Sequence, residues 1–198
     1  MEKSLKISLW IINNLLDENY VFIDGINVVN KTCSSQENTK WTYNQGVYIN
    51  AFISLSQYYK NYSNLFIDII KNNLSYITIK NNTDNPFQFI PSDLQNYVIL
   101  LENNWAKYSE THSAFKGIYI RYLSYAYRYF KQISQDQQYA KIIENYIINN
   151  ANYILPIQKD WSYPYNFQRN NKENDKITAG TTISAFDLYA FNDILIEK

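Results

Sequence analysis

The fold of this chain is decided by a polar segment and by the apolar run that follows it, Trp41-Thr42-Tyr43-Asn44-Gln45-Gly46 and Val47-Tyr48-Ile49-Asn50-Ala51-Phe52-Ile53-Ser54-Leu55. Thr42 and Gln45 form the pattern of a capping box, in which the hydroxyl satisfies a free N–H of the first helical turn and the Gln amide reaches back. Apolar residues then recur at helical spacing and also fill the other faces, which predicts a helix buried on most sides. A buried helix with a polar N-terminus is suited to the wall of a binding cleft. The same pattern also fits an ordinary capped core helix.

The overall composition limits the size and the partners of the protein. At 198 residues the chain is long enough for one domain with a substantial core. Lys plus Arg and Asp plus Glu are 18 each, so the formal net charge is 0, which argues against nucleic acid or an anionic membrane as the main partner. The 20 Tyr, 10 Phe and 4 Trp suit half-wet clefts. The codon bias of an AT-rich genome is the stronger explanation for the many Tyr residues.

Scarce residue types exclude several kinds of site. Cys33 is the only cysteine and His112 the only histidine, so the chain can form no internal disulfide, no thiolate metal cluster and no site that needs two histidines. We therefore expect no metal and no cofactor. No apolar run is long enough for a transmembrane helix, and the first residues lack the cleavage site of a signal peptide. The compartment is left open by the sequence.

Helical periodicity predicts six helices and no strand, at residues 3–16, 42–60, 63–79, 114–131, 136–153 and about 180–195. The connections between them alternate between short and long. A short link joins two antiparallel helices, and a long one carries the chain across one end of the assembly. The pattern therefore predicts an all-α fold, a ring or stack of α-hairpins. No fixed repeat period is visible, which disfavours a regular solenoid.

Several stretches resemble one family, in the order in which that family shows them. Residues 41–46 resemble the WTYNQG segment of glycoside hydrolase family 76, the endo-α-1,6-mannanases and their fungal cell-wall relatives. Residues 15–26 resemble the linker that precedes this segment, and residues 115–123 resemble the family's FKGIFVRYL helix. Weaker matches follow at 149–152 and 182–188. Together these stretches extend across nearly the whole chain.

The resemblance implies a toroid of α-hairpins, with an inner and an outer ring of helices around an open cleft. The helices at 42–60 and 114–131 would belong to the inner ring. The implied ligand is an oligosaccharide or polysaccharide of the α-mannan type, since sugar rings stack on aromatic side chains and their hydroxyls bind fixed amide and guanidinium groups. The resemblance assigns seven residues to substrate binding, namely Asp24, Trp41, Tyr43, Asn44, Gln45, Lys116 and Arg121. Family members are mostly secreted or located at the cell surface.

One departure from the family concerns the catalytic residues. The family uses an adjacent pair of aspartates on an earlier helix, and this chain contains no such pair. Glycoside hydrolysis requires one carboxyl group as acid and another as nucleophile or base. No spacing singles out a pair among the carboxylates that remain, which include Asp24, Asp93, Asp160 and Asp187. We therefore assign no catalytic residue, and residues 1–198 resemble the C-terminal half of such an enzyme as a single domain.

Three hypotheses remain open. The chain is part of a hydrolase directed at α-1,6-linked mannan, a non-catalytic carbohydrate-binding remnant, or a helical module that docks a partner chain. A half ring would expose an apolar seam larger than monomers usually tolerate. The seam is covered by a partner chain, the ring closes differently, or the protein is poorly soluble.

Overall fold

The computed structural model describes residues 2–30, 32–37, 39–79, 85–90, 92, 97–102, 112, 114–157 and 179–196. Within these residues the chain forms six helices: α1 (Glu2–Leu15), α2 (Thr42–Tyr58), α3 (Ser63–Thr78), α4 (Phe115–Gln132), α5 (Gln137–Ile154) and α6 (Ala179–Ile196). Their bounds agree closely with the six predicted helices, so the all-α prediction is confirmed. None of these described helices has the length and hydropathy that crossing a membrane requires.

Four short strands that the sequence did not predict lie in the long connections. β1 (Gly25–Val29) pairs with β2 (Thr32–Glu37), and β3 (Gln88–Phe89) pairs with β4 (Ile99–Leu100), both in antiparallel register. β1 is mostly apolar and β2 is mostly polar, and the pair has no regular alternation of apolar residues, so periodicity could not reveal it. The strands of the second pair have two residues each, too few to form a pattern.

The helices pack in two layers. The inner layer consists of α2, α4 and α6, in which α4 packs between the other two. The outer layer contains α3 and α5, which pack on each other and on the inner helices. Fully buried apolar side chains of both layers form one core, among them Phe52, Phe66, Leu123, Ile143 and Leu188.

Two glycines allow the inner helices to approach one another closely. A Cβ atom on Gly46 would lie 2.9 Å from the Cα of Tyr119, and one on Gly117 would lie 2.8 Å from the Cα of Ser184. A second contact in each pair shows the relative direction of the helices. Tyr43 packs on Phe115 one turn before Gly46 meets Tyr119, and Arg121 pairs with Asp187 one turn after Gly117 meets Ser184. The three inner helices are therefore parallel, with their N-termini at one end of the layer. This end holds the polar segment that the sequence singled out.

We predict that Gly46→Ala destabilises the protein by about 1–3 kcal/mol, because the added methyl group meets backbone rather than a flexible side chain. The loss should exceed the gain of about 1 kcal/mol that alanine brings in helix propensity. Urea denaturation measures the difference. Gly25→Ala is the matched control, since nothing lies within 4 Å of a Cβ at that position. Equal stability of the two variants would contradict the close packing of α2 on α4.

Candidate functional site

A polar rim forms where the chain before β1 meets the first turn of α2. The exposed Asp24 accepts two hydrogen bonds on Oδ1, from the Tyr43 hydroxyl at 2.7 Å and from the Asn44 amide Nδ2 at 2.8 Å. Burial of the ring and the hydrogen bond to Asp24 raise the pKa of Tyr43 well above its ordinary value of 10.0. The phenol therefore stays protonated and keeps donating its hydrogen bond. We call Asp24, Tyr43 and Asn44 the rim.

Gln45 fixes the chain that leads to Asp24. Its Oε1 accepts the backbone N–H of Phe22 at 2.9 Å, and its Nε2 donates to the Phe22 carbonyl at 2.8 Å. Asn73 on α3 donates to the same Oε1 at 3.1 Å and to the carbonyl of Tyr20 at 2.7 Å. Gln45 is fully buried and pairs with the Phe22 backbone much as a neighbouring strand would. Because a lost partner would leave buried backbone groups unsatisfied, this pairing holds the segment in place.

The predicted capping box at Thr42 and Gln45 is wrong. Trp41 is the N-cap residue and caps nothing with its side chain, while Thr42 is the first helical residue. The backbone N–H of Thr42 donates to Oε1 of Glu102 at 3.1 Å, and its hydroxyl donates to Oε2. Gln45 reaches back to the Trp41 carbonyl instead of its N–H. A carboxylate from another part of the chain therefore caps α2, where the positive end of the helix dipole favours negative charge.

Glu102 lies opposite a second buried charge. Glu102 and Lys116, at the start of α4, are 0 % and 1 % exposed, respectively. Burial raises the pKa of Glu102, and the positive charge of Lys116 and the hydrogen bonds from Thr42 partly oppose the rise. Burial likewise lowers the pKa of Lys116, and the charge of Glu102 opposes that change. The pair links the N-terminal ends of α2 and α4.

Aromatic rings fill the space beside the rim. Trp41 packs against His112 at 4.5 Å and against Phe115 at 5.4 Å between ring centroids, and Tyr43 packs on Phe115 at 4.4 Å. Trp41 is 8 % exposed, so most of its indole serves to join α2 to the start of α4. Tyr43 and Phe115 are half-buried and present part of their rings at the surface. Such rings offer apolar faces on which sugars stack.

Arg121 lies further along α4 and pairs with α6. Its Nη2 donates to both carboxylate oxygens of Asp187 at 3.0 Å, and its Nε donates to Oδ1 at 3.3 Å. The Arg121 side chain is 55 % exposed, whereas that of Asp187 is 19 % exposed. The pair joins two inner helices and leaves part of the guanidinium group at the surface.

The structure thus divides the seven predicted substrate-binding residues into three groups. The rim contains Asp24, Tyr43 and Asn44. The buried group contains Trp41, Gln45 and Lys116. Arg121 lies apart from both groups and pairs with Asp187. Contact with substrate stays a prediction for all seven. Asp93 and Asp160 lie outside the described residues. Among the described residues, no three side chains of His, Cys, Asp or Glu are grouped closely enough to hold a metal ion.

Sequence reasoning missed Glu102, Asn73 and Phe115. Glu102 and Thr42 are 60 positions apart, so no spacing rule connects them. Asn73 fits its helix as one more polar residue among several, and only its burial reveals its role. The sequence offered one signal for Phe115, which is its place at the start of the family-like stretch 115–123. Asp187, the partner of Arg121, likewise lies within the family-like stretch 182–188.

The family model of glycosyl hydrolase family 76 matches residues 1–198. The chain belongs to this family. The structure is similar to that of the GH76A α-1,6-mannanase from Salegentibacter sp. HEL1_6, with a TM-score of 0.72 and 18 % identity, over 98 % of this chain and 52 % of that one. It is also similar to the Lin0763 protein from Listeria innocua, with a TM-score of 0.70 and 20 % identity, over 100 % of this chain and 49 % of that one.

A third similar structure is an inactive variant of the Salegentibacter mannanase, in which two neighbouring aspartates are replaced by alanine, in complex with α-1,6-mannotetrose. Its TM-score is 0.70 at 18 % identity, over 98 % of this chain and 52 % of that one. None of the curated proteins matches the sequence. The family 76 chain therefore spans about half the length of these solved structures, and its two helical layers form about half of the family's toroid of α-hairpins. The predicted family and toroid fold are confirmed.

The Glu102–Lys116 pair makes the free energy of unfolding depend on pH. Because the folded chain raises the pKa of Glu102 above its ordinary 4.5, the stabilisation from this group is full below pH 4.5 and is lost as pH rises through the raised pKa. Because the folded chain lowers the pKa of Lys116 below its ordinary 10.5, the stabilisation from this group is full above pH 10.5 and is lost as pH falls through the lowered pKa. The contribution of the pair should therefore be smallest between these limits, where both groups are charged.

We predict that the stability difference between wild type and a Glu102→Gln/Lys116→Met double variant passes through a minimum near neutral pH. Urea denaturation at about pH 5, 7 and 9 measures it. The control is Lys141→Met/Glu144→Gln, which removes a surface ion pair of 3.0 Å and should have little effect, since exposed pairs contribute little. The same difference at all three pH values would contradict a net cost of burying the charges of Glu102 and Lys116.

Proposed function

We propose that the chain forms one wall of the sugar cleft in a family 76 glycoside hydrolase directed at α-1,6-linked mannan, and that it corresponds to the C-terminal half of such an enzyme. The rim at the N-terminus of α2 carries this proposal. It combines a carboxylate with a phenol and an amide that both donate hydrogen bonds to it, at the end of an inner helix of the family's ring. The structural neighbour in complex with α-1,6-mannotetrose supports a ligand of this class.

The chemistry of the rim suits sugar hydroxyls. Oδ1 of Asp24 accepts both hydrogen bonds within the rim, and no described residue donates to Oδ2. An acceptor held in one direction can bind a hydroxyl with little loss of side-chain entropy. The exposed parts of Tyr43 and Phe115 supply an apolar surface beside it. Asp24 would accept hydrogen bonds from sugar hydroxyls, while the adjacent rings contact a sugar face.

Turnover needs groups beyond those of this chain. Hydrolysis of a glycosidic bond uses two carboxyl groups in separate roles, and the mannanase variant without its two neighbouring aspartates is inactive. The sequence has no adjacent aspartate pair, and both oxygens of Asp187 are bound to Arg121. We therefore propose that the carboxyl pair comes from the other half of the ring. A carbohydrate-binding remnant without activity would keep the rim but lack this complement.

We predict that the purified chain binds α-1,6-mannotetraose and that Asp24→Ala weakens binding about tenfold or more, since a hydrogen bond to a charged group is worth about 1.5–3 kcal/mol. Isothermal titration calorimetry measures the affinity. Asp68→Ala, which removes an exposed carboxylate from the outer helix α3, is the matched control and should bind like wild type. Unchanged affinity in Asp24→Ala would contradict the rim as the binding site. Mannose products that vanish in Asp24→Asn would show that this chain is catalytic alone and overturn the two-half scheme.

Several apolar side chains on the inner helices are exposed to solvent. The exposed ones among the described residues are Val47 and Tyr58 on α2, Tyr125 on α4, and Ile183 and Phe186 on α6. The first helix, α1, also exposes Ile7 and Trp10, which lie one turn apart. Because α4 packs between α2 and α6, the outer sides of α2 and α6 are the places where further inner helices would follow in a complete ring. We propose that the other three hairpins of a family 76 toroid cover them, because the similar solved structures contain about twice the length of this chain.

The open face on α6 should bind an apolar probe. We predict that the isolated chain enhances the fluorescence of anilinonaphthalene sulfonate and that Ile183→Glu/Phe186→Glu removes most of the enhancement without lowering the melting temperature, since both side chains are half-exposed. Leu65→Glu on the outer helix α3, also exposed, is the control and should keep the enhancement. A stable dimer in sedimentation, with no probe binding, would show that a second copy covers the face and would contradict closure by a different half.

A further inference from the structure

The carboxylate that caps α2 is itself firmly anchored. Glu102 follows β4, and β4 is bound by Asn150 on α5, which is fully buried. Oδ1 of Asn150 accepts the backbone N–H of Leu100 at 2.7 Å, and its Nδ2 donates to the carbonyls of Val98 at 3.0 Å and Tyr146 at 2.8 Å. Asn150 therefore ties β4 to an outer helix. This gives Asn150, one of the asparagines in residues 149–152, a structural role.

A second contact fixes the same segment from the other side. The backbone N–H of Leu101 donates to the carbonyl of Phe87 at 3.0 Å, which continues the pairing of β3 with β4. The backbone directly before Glu102 is thus held by hydrogen bonds on both sides. Its two carboxylate oxygens then reach Thr42, one on the backbone N–H and the other on the hydroxyl.

The position of this bond matters for the rim. The first N–H groups of a helix have no partner within the helix, so the N–H of Thr42 depends on an external acceptor. The next two residues along the chain are Tyr43 and Asn44, which bind Asp24. Lys116 supplies a positive charge near Glu102, which favours the ionised carboxylate that accepts at both oxygens.

We propose that Glu102 is a positioning residue for the rim: it holds Thr42, and through Thr42 it sets Tyr43 and Asn44 against Asp24, so that its loss weakens sugar binding without any contact between Glu102 and sugar. The effect on sugar binding rests on the proposed function, whereas the effect on the backbone of Thr42 does not. Asn150 contributes by holding β4, from which Glu102 extends.

The chain offers a matched control for this residue. Asp136 is also a buried carboxylate, lies at the N-terminus of α5 and forms an ion pair with Lys71 at 2.6 Å. Asp136→Asn therefore removes a buried negative charge at a helix N-terminus elsewhere in the fold. This variant reproduces the general loss of stability that such a change causes, and it leaves the Thr42 contacts intact.

Hydrogen exchange measured by NMR on the full chain tests the backbone part without any ligand. We expect the amide of Thr42 to exchange at least about tenfold faster in Glu102→Ala than in wild type, because its acceptor is gone. Glu102→Gln should recover part of the protection, since the amide oxygen still accepts the N–H. Asp136→Asn should leave Thr42 unchanged. Equal exchange at Thr42 in wild type and Glu102→Ala would overturn the proposal.

Calorimetry with α-1,6-mannotetraose, well below the melting temperatures of all variants, tests the second part. We expect affinity to fall about fivefold or more in Glu102→Ala, to recover partly in Glu102→Gln and to stay unchanged in Asp136→Asn. Unchanged affinity in Glu102→Ala, while Asp24→Ala binds more weakly, would overturn positioning of the sugar site. Wild-type chain that binds no sugar would overturn the proposed function and this second part, and the exchange at Thr42 would still decide whether Glu102 holds the rim.

Discussion

The close approach of three parallel helices is the constraint on which the rest of the structure depends. Gly46 and Gly117 let α2, α4 and α6 pack backbone against backbone, which brings three helix N-termini to one end of the inner layer. Unpaired N–H groups and positive dipole ends therefore gather there. Two fully buried side chains accept such N–H groups. Glu102 accepts that of Thr42 on α2. Ser184 accepts that of Gly117 on α4. The rim lies at the same end.

Buried polar side chains at this end replace the local cap that the sequence pattern predicts at Thr42 and Gln45. Gln45 pairs with the backbone of Phe22, and Glu102 accepts both donors of Thr42. Each interaction joins segments that are far apart in sequence, so the rim and the residues that support it come from separate pieces of chain. Such buried groups are costly when a partner is lost. The site and the stability of this end of the fold are therefore coupled.

The proposed function divides the cleft between this half-ring and a complementary half. One end of the half-ring presents the polar rim, and the inner helices carry exposed apolar side chains. The family's fold is shared by structures about twice as long. A cleft between two halves would take its binding wall from this chain and its acid pair from the other. Family membership and site geometry are consistent with that division of roles.

The sequence by itself determined the six helices and the family. Helices of 14 to 18 residues show a strong apolar periodicity, so the sequence alone predicts them. The stretches at 41–46 and 115–123 are specific enough to identify the family and its ring fold. The short strands carried no such signal because their residues do not alternate. Tertiary structure alone decided which residues serve the rim and which support it. Thr42 and Gln45 had the spacing of a capping box, yet a carboxylate 60 residues away took the cap, since a helix end accepts any suitable partner that the fold brings within reach. The resemblance assigns Lys116 and Gln45 to sugar binding, which stays a prediction, and the structure adds that both side chains are buried. Burial could not be predicted, because it depends on how helices pack and leaves no mark on the order of residues.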